Sequence, residues 1–454
     1  MKRLSGGLID RSQHLSFTFN GKRYQGHPGD TLASALLANG VQLVGRSFKY
    51  HRPRGIVAAG SEEPNALVTL REGARAEPNT RATMAELYDG LVARSQNHVG
   101  SLNFDLLAVN DLLSPFFAAG FYYKTFMWPR AFWEKLYEPA IRRAAGLGSL
   151  SELPDPDTYD RGYLHADLLV IGAGPAGLTA ALAAGRAGAR VILADEDFRL
   201  GGRLLAESDL LDGAPATDWV EAVQAELESL PNVRILTRTV IFGVYDHGIY
   251  GAVERVSDHL PTPGGAVRQT LWRIVAKRAV LAAGATERHI PFADNDRPGI
   301  MLAGAMRAYA NRWATGPGTS APVAIFTNND DGHRTALDLM ARGVPVAAVI
   351  DARRGVEQQG DYRLLPEAEV VGTQGRLGLH SIKVRTSRGN DTLQVGALGV
   401  AGGWNPNVHL ASHHRGRPVW DGEKLAFVPG QGGPSGLVPA GACAGKGSTA
   451  EALA

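Results

Sequence analysis

Three glycines and an acid stand where a dinucleotide would be held. Gly172, Gly174 and Gly177 belong to the run Gly172-Ala173-Gly174-Pro175-Ala176-Gly177, a G-x-G-x-x-G, and Asp195 follows at a distance. In this pattern the first glycine makes a tight turn, the second lets a pyrophosphate touch the backbone, and the third lets a helix pack closely on its strand. A helix starting there offers unpaired N–H groups and the positive end of its dipole to the phosphates. Asp195, followed by Glu196, sits where an acid accepts from an adenosine ribose hydroxyl. No arginine stands at that position in the sequence, which favours NAD over NADP. Gly202, Arg203, Thr239, Val240, Ala283, Gly284 and Gly441 complete the expected cofactor-binding set.

Other candidate chemistry is thinner. A second strand–turn–helix, from Pro322 to Asp351, carries Thr327-Asn328-Asn329-Asp330-Asp331-Gly332 where phosphate-cradling glycines should be. Two carboxylates there would repel a pyrophosphate, so this second site reads as lost, with Asn or Asp capping a helix. Near the end, Gly436 to Gly441 forms another strand-then-Ala-Gly segment. In FAD enzymes of this architecture an aspartate follows and holds the ribityl chain; here the residue is Ala442, which tilts the cofactor towards NAD. The GKGS run from Gly445 fails phosphate-loop spacing. His409, His413 and His414 lack an acidic or thiol ligand at metal spacing and read as a solvated cluster. His289 reads as a solvated loop histidine, although a place near a nicotinamide or flavin edge is the competing reading. No catalytic acid–base or nucleophile constellation and no metal site emerge.

The elements that position these residues follow from periodicity. Leu168 to Ile171 is a buried parallel strand, Leu178 to Ala189 a helix closed near Gly188, and Val191 to Ala194 a second strand. A helix over 219–230, one strand in VRILTRTVIFGVYD and a meander ending at Val280–Ala285 continue the unit. Upstream, two short strands meet at Asn20-Gly21 and lead into a helix ending at Gly40. Hairpin then helix opens a plant-type ferredoxin fold, yet the loop that would hold its cluster, VGRSFKYHRPRGIVAAGSEEPNAL, has no cysteine. That loop carries Arg46, Lys49, His51, Arg52 and Arg54 with Phe48 and Tyr50 interleaved. A phosphate- or partner-binding patch and a solvated basic loop are its two readings. The expected domains are a cluster-less ferredoxin-like β-grasp domain (1–90), an aromatic-rich connector (91–160), a first Rossmann domain (161–310), a degenerate second one (311–400) and a return to the first (401–454). The connector's apolar content requires burial, against its own domains or another chain.

Composition narrows the class. The chain has 454 residues, a formal net charge of +2 and a single cysteine, Cys443. Internal disulfides, a four-cysteine cluster and paired-thiol chemistry are excluded, and with them the flavin disulfide reductases that share this fold. Nothing points to nucleic acid, no apolar run spans a bilayer, and the N-terminus lacks a signal-peptide core, so a cytoplasmic location without membrane partner is expected.

Taken together, VGRSFKYHRPRGI, LSPFFAAGFYYKTFMWP, GAGPAG, the TNND turn and GGWNPNVHL resemble the α subunit of heterotetrameric sarcosine oxidase. The resemblance implies a two-dinucleotide-binding-domain, flavoprotein-like α/β fold behind the β-grasp domain. It implies oxidation of N-methylglycine by oxygen to glycine, peroxide and a one-carbon unit passed to tetrahydrofolate, in a complex with β, γ and δ subunits. The family places NAD in this subunit, FMN at the α–β interface, FAD on the β subunit, zinc on δ and tetrahydrofolate in a further C-terminal domain. Carried over by residue, the NAD motif falls on Gly172, Gly174, Gly177 and Asp195. The family's α subunits are about twice this length, so the folate site is expected to be absent, the chain being a fragment or a shortened relative. A self-sufficient FAD- or NAD(P)H-dependent amine oxidoreductase is the alternative, and an empty scaffold a third reading.

Overall fold

The computed structural model describes residues 3–117, 120, 128–144, 146 and 148–453. The chain forms two compact units, residues 1–156 with 289–402 and residues 157–288 with 403–454.

In the first unit a five-stranded sheet runs in the order Lys22–Gly26, Leu15–Phe19, Leu91–Ser95, Leu67–Leu70, Glu77–Arg81. Asn20 and Gly21 both take positive φ at the hairpin turn, as that two-residue turn requires. The helix Leu32–Ala38 starts in a capping box between Thr31 and Ser34 and buries all of its residues. Leu91–Ser95 departs from the expected boundary at 90. It lies centrally in the sheet, parallel to Leu15–Phe19 and antiparallel to Leu67–Leu70, with Leu91 and Ala93 buried. The β-grasp sheet therefore ends one strand later than expected.

The same unit holds a parallel sheet ordered Ile300–Leu302, Ala397–Ala401, Val323–Thr327, Val346–Asp351, Leu364–Pro366, with helices Ala303–Asn311 and Asp330–Ala341. Residues 289–310 thus go with this sheet rather than with the first Rossmann fold, because Ile300–Leu302 pairs with Ala397–Ala401. Its strands read as continuous buried apolar runs, the mark of a parallel sheet covered on both faces.

The second unit is built on two 13-residue strands, Tyr159–Ile171 and Gln269–Leu281, which run parallel along their length. Val191–Ala194 and Val233–Leu236 extend the sheet in parallel on one side. On the other side Ile249–Arg255 and Thr239–Tyr245 form an antiparallel meander, and Leu437–Pro439 pairs with the end of Gln269–Leu281. The segment expected to be one strand is therefore two, broken at Arg238, whose φ of 54° turns the chain. Strand alternation divides the core: Leu169 and Ile171 pack with Ile274 and Leu281, whereas Val170 packs with Leu178 and Leu193 beneath helices Pro175–Arg186 and Ala216–Ser229. Among the described residues no helix is long and apolar enough to cross a membrane.

A candidate dinucleotide site and its relatives

The glycine loop closes on itself tightly everywhere but at one point. Gly172 has φ +98°, and a Cβ there would lie 2.4 Å from the Ala282 carbonyl oxygen. At Gly177 a Cβ would lie 1.8 Å from the Gly172 carbonyl oxygen. Gly174, the N-cap of Pro175–Arg186, differs: a Cβ built there meets nothing within 4 Å. The two outer glycines thus serve turn and packing, while the middle one faces open space at a helix N-terminus. Pro175 occupies the first helical turn, where its missing N–H costs nothing.

The remaining predicted segments converge on this loop. Gly201 N–H donates to the Ala173 carbonyl at 2.8 Å, and Gly202 packs so closely that its Cβ would lie 2.8 Å from Gly174 Cα. Gly441 abuts Ala176 in the same way, at 2.8 Å. Ala282 N–H donates to Ile171, placing Ala283 and Gly284 beside the loop's first turn. Arg203 braces rather than reaches out: its Nε donates to Glu207 Oε1 at 2.6 Å and its Nη1 to the Gly447 carbonyl at 2.6 Å.

Asp195 is already engaged by the protein. Its Oδ2 accepts from Ala173 N–H at 2.5 Å and its Oδ1 from Asp197 N–H at 2.8 Å. Burial, reinforced by Asp197 and Glu196, pushes its carboxyl up to about 7. Each oxygen retains a lone pair for a further donor. An arginine does come near this turn from another strand: Arg255 Nη2 donates to the Glu196 backbone carbonyl at 2.6 Å, brought in by the strand Ile249–Arg255. Thr239 is buried and its N–H donates to the Asp195 carbonyl at 2.7 Å. Val240 does not join the loop through its side chain, which shares the outer face of the meander with Val253.

One positioning residue was not foreseen. Asn407 donates through Nδ2 to the Ala283 carbonyl at 2.8 Å and through its N–H to Gly284, and accepts on Oδ1 from Thr286 and on its carbonyl from the Cys443 thiol. It ties the two Ala-Gly segments together. Ala442 follows Gly441 at the start of a short 3-10 turn and brings no carboxylate to this place. Cys443 is fully buried, and burial pushes its thiol up to about 12.

The second strand–turn–helix is filled by its own side chains. Asn329 caps the helix by accepting from Asp331 N–H. Asp351, at the end of its strand, is met by His333 Nε2 at 2.8 Å and Arg353 Nη2 at 2.8 Å, and Arg353 also binds Asp330. Tyr362 closes the network on His333 Nδ1 at 2.7 Å. A ribose bonding the Asp351 carboxylate would have to displace His333 and Arg353.

Most charges of the basic loop are engaged within the chain, although Phe48 is 52% exposed. Arg46 is buried and donates to the Leu102 and His51 carbonyls. His51 pairs with Asp105 at 2.6 Å, both buried, and Arg52 with Asp111 at 2.7 Å. Arg54 pairs with Asp296. The loop clamps the chain that follows the β-grasp sheet. Just beyond, Glu63 (1% exposed) accepts four backbone N–H bonds, from Val57 and Ala58 on one oxygen and Asn65 and Ala66 on the other. Much of the aromatic run from Phe116 to Pro129 lies outside the described residues. Leu112 before the run and Trp128 near its end are exposed, so burial within this chain does not account for them.

Of the three C-terminal histidines, His409 and His414 are exposed as expected and His413 is half-buried. His413 Nδ1 lies 3.2 Å from both Val244 N and O, binding a sheet edge, and among the described residues no three potential ligands cluster for a metal. His289 is half-buried, its ring 5.7 Å from Phe292, with burial lowering its pKa.

Comparison with known proteins agrees with this geometry. Residues 12–98 match a family described as a 2Fe-2S iron-sulfur cluster binding domain, and residues 167–244 one described as FAD dependent oxidoreductase. The cluster does not fit, because residues 12–98 contain no cysteine. The L-proline dehydrogenase of P. horikoshii shares the fold, with a TM-score of 0.65 at 20% identity, covering 96% of this chain and 69% of that one. The sarcosine oxidase α subunit of Rhizobium meliloti (strain 1021) is 56% identical over 98% of this chain and 46% of its own length. That of Corynebacterium sp. (strain P-1) is 39% identical over 93% of this chain and 40% of its own. The chain spans less than half the length of these relatives. It is, over nearly all of its own length, a homologue of sarcosine oxidase α subunits.

Proposed function

We propose that this chain is the NAD-holding, α-type part of a sarcosine oxidase-like complex in the cytoplasm. In it, N-methylglycine is oxidatively demethylated by flavin held on, or shared with, a partner. The observation that carries the reading is Gly174: the loop around it is closed by backbone packing, and it alone faces open space at a helix N-terminus. Gly172, Gly174, Gly177 and the first turn of Pro175–Arg186 would hold the pyrophosphate, and the Asp195–Glu196 turn the adenosine ribose. Ala442 offers no acceptor for a ribityl chain, which favours NAD over FAD here. The second fold, closed by Asp351, His333 and Arg353, holds no second dinucleotide. FMN at the interface and β, γ and δ-type partners, which the family resemblance implies, belong to the same proposal.

The match of residues 167–244 to FAD-dependent oxidoreductases supports a second reading, a self-sufficient FAD- or NAD(P)H-dependent amine oxidoreductase. The isolated chain separates the two. The proposal predicts a colourless protein without sarcosine-dependent peroxide formation, and turnover only on co-expression with a β-type subunit. A yellow chain that oxidises sarcosine alone would end it.

A further inference from the structure

We infer that the outer face of the meander in the second unit docks an acidic partner subunit of the complex; this rests on the subunit reading above. The inner face of these strands is core, burying Ile241, Tyr250, Ala252 and Ile274. The register sets Tyr163 beside Arg273, and Arg273 beside Gly251, on the opposite face. Gly251 leaves room there, since a Cβ would lie 2.5 Å from the Phe242 ring and 3.2 Å from that of Tyr245. In the next row Arg161, Leu271, Val253 and Val240 stand side by side.

This face is open to solvent, with Tyr163 63%, Phe242 47% and Leu271 42% exposed. A sheet needs cover on its apolar face, and contiguous exposed aromatics with arginine are the composition of an interface core. Charge identifies the occupant. Arg161 and Arg273 lie on the outer face, whereas Asp160 and Glu254, the carboxylates of the same stretches, take the alternate positions, Glu254 held by Trp272 Nε1 at 2.7 Å. Asp258, at the edge of this face, is already bonded to Gln269 and Arg268, so the face presents Arg161 and Arg273, which suits a partner surface of carboxylates and aliphatic groups. Arg273 is held in place, donating to Tyr163 OH at 2.7 Å with its guanidinium 5.6 Å from that ring.

The test measures the affinity of the full chain for a purified β-type subunit, in Phe242→Asp, Tyr163→Ala and Arg273→Glu. Each should weaken binding by about tenfold or more, and Arg273→Glu should also flatten the salt dependence. Trp420→Ala, on a different exposed hairpin, should leave affinity unchanged, and all variants should keep the wild-type Tm. Wild-type affinity in the three face variants would overturn the inference while leaving the subunit reading intact. Failure of the unaltered chain to bind any β-type subunit would remove that reading, and the inference with it. Self-association abolished by Phe242→Asp would assign the face to a second copy instead, again overturning it.

Discussion

Gly174→Ala and Gly177→Ala differ by the same single methyl group and should have opposite consequences. At Gly177 the new Cβ would sit 1.8 Å from a backbone oxygen, and backbone cannot rotate aside as a side chain can. The loop would have to move by more than an ångström, a cost of about 1–3 kcal/mol or more for overpacking. At Gly174 nothing lies within 4 Å and φ is −72°, so the methyl meets neither clash nor strain. Reduced unfolded-state entropy and a poorer N-cap roughly cancel, leaving stability within about 1 kcal/mol of wild type. The methyl would occupy the space through which a pyrophosphate approaches the helix N-terminus, and loss of even one charge-assisted hydrogen bond costs about 1.5–3 kcal/mol, roughly tenfold or more in affinity. Thermal melts of nucleotide-free protein, with and without added NAD, separate the effects. Gly177→Ala should lower the melting temperature outright, and Gly174→Ala should keep it and lose the NAD-induced shift. An undiminished NAD shift in Gly174→Ala would refute the assignment of this loop.

Other consequences are equally direct. Glu63→Ala leaves four buried N–H groups without an acceptor and should destabilise the protein by about 3 kcal/mol or more, whereas Glu63→Gln, retaining one oxygen, should cost roughly half; equal melting temperatures for all three would contradict the role given to this carboxylate. Asp195, raised to about 7 from its usual value near 3.8, binds a proton more readily in the folded chain. Its contribution is therefore fully present below the unfolded pKa and is lost as pH rises through about 7. The nucleotide-free wild type should lose stability between pH 5 and pH 8 relative to Asp195→Asn, and parallel pH profiles would refute this. The Cys443 thiol, raised to about 12, should not react with a thiol reagent at pH 8 until the protein is unfolded, when one equivalent should appear.

Much of the first dinucleotide fold was legible because each part of its signal is local. The spacing of Gly172, Gly174 and Gly177 lies within six residues at the start of a helix, and the strands at 168–171 and 191–194 are buried apolar runs. What escaped were relations that only tertiary pairing creates. Leu91–Ser95 looked like connector because its partners, Leu15–Phe19 and Leu67–Leu70, are distant in sequence. Arg255 reaches the acidic turn from a strand of the meander, and Asn407 reaches Ala283 from far along the chain. The TNND turn showed its carboxylates in the sequence, but not that His333 and Arg353 would bond Asp351. In the basic loop the charges were evident and their destinations were not, since Asp105, Asp111 and Asp296 come from other segments.

The central claim is that one site in this chain holds NAD and that the second fold holds nothing. Denaturing the purified complex, separating the subunits, and identifying by mass spectrometry what this chain releases tests it most directly. The account predicts NAD in about one-to-one proportion, falling away in Gly174→Ala. Release of FAD from this chain, or of two nucleotides, would contradict it.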